Sequence, residues 1–333
     1  MKVLGPHFTS VELCAGAGGQ ALGLELAGFE HKALVEIDPK FADTLRLNRD
    51  HWNVYTQDLK VWAEEHAWKY VGVDLVAGGL PCPPFSVAGK QLGAEDERNL
   101  FPATLSIIRT IRPKAVLIEN VRGFLGAVFE DYRKGLKQEL EKKTHGCPGY
   151  VCDWKLINAS DFGVPQLRPR VVIVAYRKDI AQKVDWPDWN IESAPTVGET
   201  LADLMAEGGW RRAKAWAKEA DEIAPTVVGG STKHGGPDLG PTRSKAAWRT
   251  LGVDGMGIAD APPKRDFVGM PRLTVRMVAR LQGFPDEWQF EGRKTAVYRQ
   301  VGNAFPPPVA KAVGLKIRAV LEAAAARSEL QVA

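Results

Sequence analysis

Hydrophobic and polar residues in the first half of the chain follow two alternating patterns. Short runs rich in Val, Ile and Leu, each ending in a polar or glycine turn, predict strands at FTSVELCAG, HKALVEID, VDLVAGG, KAVLIEN and RVVIVAY. Apolar residues at helical spacing predict helices between them, at LGLELAG, FADTLRLN, VWAEEHAW and FPATLSIIRTI. Strands and helices in alternation predict an α/β fold with a doubly wound, mostly parallel, Rossmann-like sheet. Ligands of such a sheet bind beyond the carboxyl ends of its strands.

The pattern changes after about residue 184. Glycine and proline become frequent, the alternation stops, and six of the ten tryptophans lie between residues 184 and 290. We therefore predict three parts of the chain. Residues 1–183 form the sheet domain, residues 184–298 form a second, smaller domain, and residues 299–333 return to the first domain as a helical segment that begins at a run of prolines.

Composition excludes several classes of protein. With 45% apolar and 25% charged residues, the 333-residue chain is typical of globular proteins, and its net charge of +4 permits a polyanionic partner without demanding one. We find no apolar run long enough to span a membrane and no signal-peptide pattern, so we expect a soluble, cytoplasmic protein. The four cysteines are too few for a disulfide framework, and Cys147 and Cys152 lack metal-site spacing, so we expect no metal.

Residues suited to a nucleoside end three successive strands, namely the first two named above and a third that ends at Gln57-Asp58. A glycine turn with Gly16 and Gly18 follows the first strand and matches the dinucleotide fingerprint only in part. Glu36 ends the second strand, about 20 residues on, where an acid commonly binds ribose hydroxyl groups. Asp58, after the third strand, could hold an adenine amino group. Together these predict a nucleoside cofactor, and both NAD and S-adenosylmethionine remain possible at this point.

The stretch GGLPCPPFSVAGK after the fourth strand places one cysteine among three prolines. Pro81, Pro83 and Pro84 have no N–H group to donate to a helix or a sheet. Cys82 is therefore expected on a stiff loop at a strand end, where a nucleophile could be presented at a fixed angle.

Four further motifs make a resemblance specific. The chain contains the motifs Pro81-Cys82, Glu119-Asn120-Val121, Gln166-Leu-Arg168-Pro-Arg170 and Val301-Gly302-Asn303-Ala304. In their order and spacing, these motifs resemble those of the bacterial cytosine-5 DNA methyltransferase family, and the resemblance covers residues 8–320. In that chemistry a thiolate adds to carbon 6 of cytosine so that carbon 5 can take a methyl group. The resemblance implies that Cys82 is the nucleophile and that Glu119 relieves charge at N3. It also implies that Arg168 and Arg170 contact the base oxygen and a nearby phosphate.

The same resemblance implies that the cofactor is S-adenosylmethionine in a Rossmann-like methyltransferase fold. Its pocket would comprise Cys14, Gly16, Gly18, Glu36, Ile37, Asp58, Leu59, Gly79, Pro81, Leu100, Asn303 and Ala304. The chain departs from the family at two positions. Cys14 stands where Phe is common, and Pro83 stands where Gln commonly follows the Pro-Cys pair.

The smaller domain would recognise double-stranded DNA. Its segment 224–250 is rich in glycine and carries four basic residues against one acid, which is typical of a flexible loop that contacts phosphates and base edges. We predict DNA contacts at Ser86, Lys233, Arg243 and Lys245. Arg276 and Arg280 are spaced by one helical turn and are expected to organise the fold. The enzyme would be a monomer associated with the nucleoid, and a separate cognate restriction endonuclease could accompany it.

Three alternatives remain at this stage. An oxidoreductase explains the glycine turn but leaves Cys82, Glu119 and Asn303 without roles. A tRNA cytosine-5 methyltransferase shares the motifs, although an insert of about 100 residues is more typical of DNA recognition. A catalytically inactive DNA-binding homologue is disfavoured because Cys82, Glu119, Arg168 and Arg170 are all present.

Overall fold

The computed structural model describes residues 7–81, 99–188, 193–229 and 237–332. The predicted nucleophile Cys82 and the predicted DNA contacts Ser86 and Lys233 lie outside the described residues.

A seven-stranded sheet forms the centre of the described structure. Its strands are β1 (Phe8–Leu13), β2 (Phe29–Glu36), β3 (Val54–Thr56), β4 (Leu75–Gly79), β5 (Ala115–Val121), β6 (Tyr150–Asn158) and β7 (Pro169–Arg177). They lie in the order β3-β2-β1-β4-β5-β7-β6. Strands β1 to β5 run parallel, and β7 runs antiparallel to β5 and β6. The predicted α/β fold with a mostly parallel sheet is therefore confirmed.

Strand β6 is not predicted by the sequence pattern. It lies at the edge of the sheet and pairs only with β7 among the described strands. Its outer positions are partly exposed, so polar residues such as Asp153 and Lys155 interrupt the apolar run that marks the inner strands. An edge strand with two half-exposed faces has no regular hydrophobic period to detect.

The helices follow the strands and then fill the second half of the chain. They are α1 (Gly19–Leu26), α2 (Pro39–Asn48), α3 (Leu59–Glu65), α4 (Phe101–Ile111), α5 (Glu130–Glu141), α6 (Val197–Ala206), α7 (Ala213–Glu219), α8 (Thr242–Thr250), α9 (Val275–Leu281), α10 (Lys294–Asn303) and α11 (Pro307–Val332). Local signals set several starts. Asp38 and Asp58 accept hydrogen bonds from main-chain N–H groups in the first turns of α2 and α3, and Thr196 and Glu199 form a capping box on α6.

The residues after the sheet pack onto it through one shared apolar core. Trp210, Trp216, Trp248 and Trp288 are buried there with residues of α6, α9 and α10. The same cluster includes Leu22 of α1 and other side chains from the sheet part, namely Leu34, Leu45 and Trp52. Helix α11 packs on the sheet part in a separate cluster that includes residues of α1, β2 and β7. The limits 183/184 and 298/299 between domains stay a prediction.

Candidate active site

The ends of the parallel strands bring the predicted site residues to one edge of the sheet. Gly79, the last residue of β4, lies directly opposite Glu119 of β5. Glu36 ends β2, and β1 lies between β2 and β4. We call this edge, from Glu36 to Glu119, the carboxyl edge.

Glu119 is a buried carboxyl group held by an arginine. Its side chain is 7% exposed, and its Oε1 lies 2.7 Å from Nε of Arg170. Arg170 reaches it because β7 runs antiparallel to β5, which places Arg170 opposite Val121. Burial raises the pKa of Glu119 above its ordinary value, although Arg170 and Arg168 act in the opposite direction. A carboxyl group with a raised pKa can donate a proton to a base nitrogen near neutral pH.

Arg168 occupies a different environment from the one predicted. It is fully buried, and its two terminal nitrogens donate to the main-chain oxygens of Val227 (2.7 Å), Gly302 (2.7 Å) and Ala304 (3.1 Å). Because these carbonyl groups occupy its terminal nitrogens, Arg168 is a positioning residue rather than the expected contact to the base oxygen or phosphate. Arg168 joins the start of β7 to the segment at Val227 and to the end of α10.

Two glutamines extend this junction. Gln166 accepts a hydrogen bond from the main-chain N–H of Val227 at 2.9 Å and donates to Gln282 and to Leu281 O. Gln282 in turn donates to the oxygens of Val301 and Ala304, both at 3.0 Å. The network ties β7, α9 and the end of α10 together. Sequence reasoning recognised Gln166 only as part of a motif and did not single out Gln282.

The β2 end of the carboxyl edge has the character of a nucleoside site. The carboxylate of Glu36 accepts hydrogen bonds from the N–H groups of Gly16 and Asp38, both at 2.8 Å. Each carboxylate oxygen keeps a further lone pair for a hydroxyl group. Ile37 is 64% exposed, which offers an apolar surface beside that carboxylate. Gly16 has φ of +57°, and a Cβ there would meet nothing within 4 Å, so the turn borders open space.

Cys14 and the residues after β3 complete this end. Burial and the carboxylates of Glu36, Glu12 and Asp58 raise the pKa of the Cys14 thiol far above its ordinary value, so the thiol is neutral. Asp58 caps α3 through Oδ1, which leaves Oδ2 for an adenine amino group. Leu59 is 3% exposed and belongs to the apolar core.

The remaining predicted pocket residues have mixed environments. Gly18 is the N-cap of α1. Pro81 and Leu100 are half-buried at the two ends of the segment that lies outside the described residues, and Asn303 is exposed at the end of α10. Ala304 is 8% exposed, and its carbonyl oxygen is already bound by Arg168 and Gln282.

Three buried polar side chains at the carboxyl edge have hydrogen-bonding atoms without a partner. Both carboxylate oxygens of Glu12, both amide atoms of Gln20 and the amide nitrogen of Asn120 make no hydrogen bond in the described residues. Burial raises the pKa of Glu12 well above its ordinary value, because it disfavours the charged form. Unpartnered buried polar groups are rare in native proteins and often mark a ligand site. Sequence reasoning gave none of the three a role, although each stands in or beside a motif that it recognised.

The other described cysteines are poorly placed for catalysis. Cys147 and Cys152 are buried in the apolar core beneath α4 and α5, and burial raises the pKa of Cys152 to about 12. Together with the neutral Cys14, this leaves Cys82, the residue after Pro81, as the candidate thiolate.

The predicted DNA contacts that the structure describes lie on a helix. Arg243 and Lys245 belong to α8, so the flexible loop predicted for 224–250 is wrong for residues 242–250. Arg243 is exposed, whereas Lys245 Nζ lies 2.7 Å from Asp238 Oδ2. Arg276 and Arg280 bind acids of neighbouring segments, including Glu207, Asp203 and Asp286, which confirms that they organise the fold.

The described residues contain neither a membrane-spanning helix nor a cluster of metal-binding side chains. No helix among them is long and apolar enough to cross a bilayer. No group of three His, Cys, Asp or Glu side chains in the described ranges could hold a metal ion.

Comparisons with known proteins agree with this geometry. The Type II methyltransferase M.NaeI of Lentzea aerocolonigenes is 55% identical over 93% of this chain and 75% of its own length. The Type II methyltransferase M.NgoMIV of Neisseria gonorrhoeae is 51% identical over 93% of this chain and 97% of its own length.

Solved structures with low sequence identity share the fold. The methyltransferase EhMeth of Entamoeba histolytica superposes with a TM-score of 0.65 at 14% identity, covering 95% of this chain and 99% of its own. DNMT2 of Spodoptera frugiperda superposes with a TM-score of 0.63 at 17% identity, covering 94% and 99%. The family model for C-5 cytosine-specific DNA methylases matches residues 8–319. The chain therefore belongs to the C-5 cytosine-specific DNA methylase family and is a DNA cytosine-5 methyltransferase.

Proposed function

We propose that this enzyme transfers the methyl group of S-adenosylmethionine to carbon 5 of a cytosine flipped out of a specific duplex DNA site, through a covalent adduct with Cys82. The observation that carries the mechanism is the buried Glu119 carboxyl group, held by Arg170 directly opposite Gly79. Three residues after Gly79 the chain reaches Cys82. The acid thus lies on β5, and in the sequence the nucleophile comes three residues after the end of β4, the neighbouring parallel strand.

The proposed steps balance around these two residues. The Cys82 thiolate forms a bond to carbon 6 while protonated Glu119 gives its proton to N3, which makes carbon 5 an enamine-type nucleophile. S-adenosylmethionine, when bound, would supply a methyl group that carbon 5 can attack, and S-adenosylhomocysteine would leave as the neutral thioether. A base then removes the proton from carbon 5, the bond from sulfur to carbon 6 breaks, and Glu119 regains its proton.

The residues of the carboxyl edge fit this cofactor. Glu36 would accept from the ribose hydroxyl groups, Ile37 would cover the adenine, and Asp58 Oδ2 would accept from the adenine amino group. Three further observations support the fit: open space at Gly16, no Cβ at Gly79, and the unpartnered Oε1 of Gln20, which would lie 3.8 Å from a Cβ built on Gly79. Arg170, which lies 2.7 Å from Glu119, would hold the Glu119 carboxyl group in place and would bind the base oxygen.

The helical region, which comprises residues 197–304, would recognise DNA. A stacked cytosine hides carbon 6, so the base must leave the helix at a cost of a few kcal/mol. Arg243 on α8 would contact a phosphate, and Ser86 and Lys233 would add contacts from segments outside the described residues. The relatives named Type II methyltransferases support a restriction–modification setting, in which a separate endonuclease shares the target site. We propose that the enzyme itself acts as a monomer.

A methyl-transfer assay tests the proposal. Purified enzyme, labelled S-adenosylmethionine and either duplex DNA or tRNA should give label in DNA only, and Cys82→Ala should abolish it. S-adenosylmethionine should raise the melting temperature of the protein whereas NAD should not, because a ligand stabilises the state that binds it. Transfer to tRNA, or stabilisation by NAD alone, would contradict the proposal.

A further inference from the structure

A solvent-exposed turn of the helical region has no role in the function proposed above. Residues 264–270, with the sequence Lys-Arg-Asp-Phe-Val-Gly-Met, are all exposed, and we call them the exposed turn. Val268 is 90% exposed, Met270 is 44% exposed and Phe267 is 36% exposed. Large apolar side chains that are exposed side by side, rather than singly, usually mark a surface that contacts a partner.

The main chain of the exposed turn is fixed, although its side chains face solvent. Phe267 N donates to Lys264 O at 3.0 Å, which closes the turn. Trp210 Nε1 donates to Phe267 O at 2.9 Å, and the two rings pack edge to face with their centroids 5.9 Å apart. Directly after the turn, Asp254 N donates to Pro271 O at 2.9 Å. A partner would therefore meet a preorganised surface, and ordering the turn on binding would cost little entropy.

The charges on this surface favour an anionic partner. The acids of the exposed turn and of its anchor are each paired with an arginine, in the ion pairs Arg211–Asp266 and Arg272–Asp254. Lys264 and Arg265 are exposed and form no ion pair with the residues that the structure describes. Two uncompensated positive charges therefore stand beside the exposed apolar side chains.

The exposed turn is continuous with α8, which would contact DNA in the proposed function. Asp254, which binds the main chain of Pro271, is followed by Gly255. A Cβ built on Gly255 would lie 3.3 Å from Lys245 Cγ, so the chain passes directly against α8 there. The turn and α8 thus form neighbouring parts of one surface. This continuity favours duplex DNA as the partner, because Arg243 of α8 would bind a phosphate of the same duplex.

The side chains of the exposed turn suit two different parts of a duplex. Lys264 and Arg265 can bind phosphates, which position a protein on DNA but carry no sequence information. Val268 and Met270 are apolar and match the apolar edges in the major groove, such as the methyl group of thymine. We propose that the exposed turn enters the major groove, where Val268 and Met270 contact base edges and help to determine the target sequence. This inference rests on the proposed function, to which it adds an element that reads bases.

The test uses a pool of DNA duplexes with randomised sequence. The pool is methylated by the purified enzyme and sequenced so that methylated cytosines and their neighbours are identified. The double variant Val268→Ala, Met270→Ala should relax the preference at one or two base pairs by about fivefold or more, the usual effect of losing recognition of a base pair. Its melting temperature should stay near the native value, because both side chains are exposed.

The two cations of the exposed turn should give a different result. The double variant Lys264→Ala, Arg265→Ala should weaken binding to all duplexes alike and lower the salt slope by up to about two units, one for each phosphate contact. Fluorescence anisotropy with one labelled duplex from the methylated pool, across a range of salt concentrations, gives the slope. The sequence preference of this variant should be unchanged.

Val71→Ala is the matched control for the apolar substitutions. Val71 is 51% exposed and precedes β4, so it lies at the amino ends of the parallel strands, away from the carboxyl edge. Its replacement removes a comparable exposed side chain and should change neither the sequence preference nor the salt slope.

Three results would overturn the inference. The sequence preference could be unchanged in the Val268→Ala, Met270→Ala variant, or the salt slope could be unchanged in the Lys264→Ala, Arg265→Ala variant. Sedimentation could also show a native dimer that the Val268→Ala, Met270→Ala variant loses while its sequence preference is retained, which would assign the exposed turn to a second copy of the chain. A native protein that methylates no duplex of the pool would instead refute the proposed function itself.

Discussion

The carboxyl edge of the sheet and the helical region of residues 197–304 differ in whether their polar side chains have partners. At the edge, Glu12, Gln20 and Asn120 are buried with atoms that have no partner in the described residues. In the helical region, Arg276 and Arg280 each bind two acids of other segments. Unpartnered groups cost stability and are retained where a ligand can pair with them, whereas paired groups hold segments together. Substitutions at the edge should therefore reduce activity more than stability, and substitutions in the helical region should do the reverse.

The largest effect is expected for Glu119→Gln. The amide is isosteric and can still accept from Arg170, but it cannot transfer a proton to N3. Methyl transfer should fall by about 10²- to 10⁴-fold, the usual contribution of a general acid, while cofactor affinity and the urea midpoint stay near their native values. Single-turnover kinetics and denaturation on the same preparation check both parts. A variant that is fully active, or one that is inactive because it is unfolded, would break the contrast.

Arg168→Met should show the opposite profile. The substitution leaves the buried oxygens of Val227 and Gly302 without this donor, at about 1–3 kcal/mol for each group, whereas the oxygen of Ala304 keeps its hydrogen bond from Gln282. We expect the free energy of unfolding to fall by about 3 kcal/mol or more, measured by urea denaturation. Arg211→Met is the control, because its ion pair with Asp266 is exposed and should contribute less than about 1 kcal/mol. Equal urea midpoints for the two variants would contradict the positioning role of Arg168.

The positions of Glu119 and Arg168 show what the sequence could and could not predict. Glu119 lies near the end of one parallel strand and Gly79 ends its neighbour, so their proximity follows from strand order and motif spacing. The partners of Arg168 lie 59 to 136 residues away and reach it only through tertiary packing. Nothing local to the motif distinguishes a buried arginine from one that faces a phosphate.

Gln20 and α8 were missed for related reasons. Gln20 stands in a recognised glycine turn, but its lack of a partner depends on what surrounds it in three dimensions. Helix α8 buries a single side chain, Trp248, and its other residues are polar or alanine. Such a segment has almost no hydrophobic period, so tertiary packing rather than pattern fixes it as a helix.

His31 is a polar residue of β2 with a partner at each ring nitrogen, so we expect it to contribute to stability as the paired groups of the helical region do. Its Nδ1 lies 2.8 Å from Ser10 Oγ and its Nε2 lies 2.9 Å from Ala21 O, and burial lowers its pKa to about 4. A depressed folded-state pKa means that the neutral form stabilises the fold. This stability is present above pH 6.5 and is lost as the pH falls toward 4.

The size of the His31 effect can be measured by difference. Between pH 7 and pH 5 the histidine should account for about 2 kcal/mol of lost unfolding free energy. His31→Gln should therefore lose less stability than the native protein over that interval, in urea denaturation at both pH values. Parallel curves for the two proteins would show that His31 does not carry the acid sensitivity.

The smallest effects should separate two cations of α8. Arg243 is exposed, whereas the charge of Lys245 is already compensated by Asp238. Arg243→Ala should lower the salt dependence of DNA binding by about one unit of slope, and Lys245→Ala should lower it by less. Affinities for a duplex carrying the target site, measured across a range of salt concentrations, give the slopes. An unchanged slope for Arg243→Ala would remove α8 from the DNA interface.

A covalent trap tests the central claim most directly, namely that the carboxyl edge performs the chemistry through Cys82. Duplex DNA with 5-fluorocytosine at the target position should form a stable adduct in the presence of S-adenosylmethionine, because fluorine cannot leave as the proton does. Peptide mass spectrometry should locate the adduct at Cys82, and Cys82→Ala should abolish it, whereas Cys14→Ala, Cys147→Ala and Cys152→Ala should each retain it. An adduct at any other cysteine, or methyl transfer that persists in Cys82→Ala, would contradict the account.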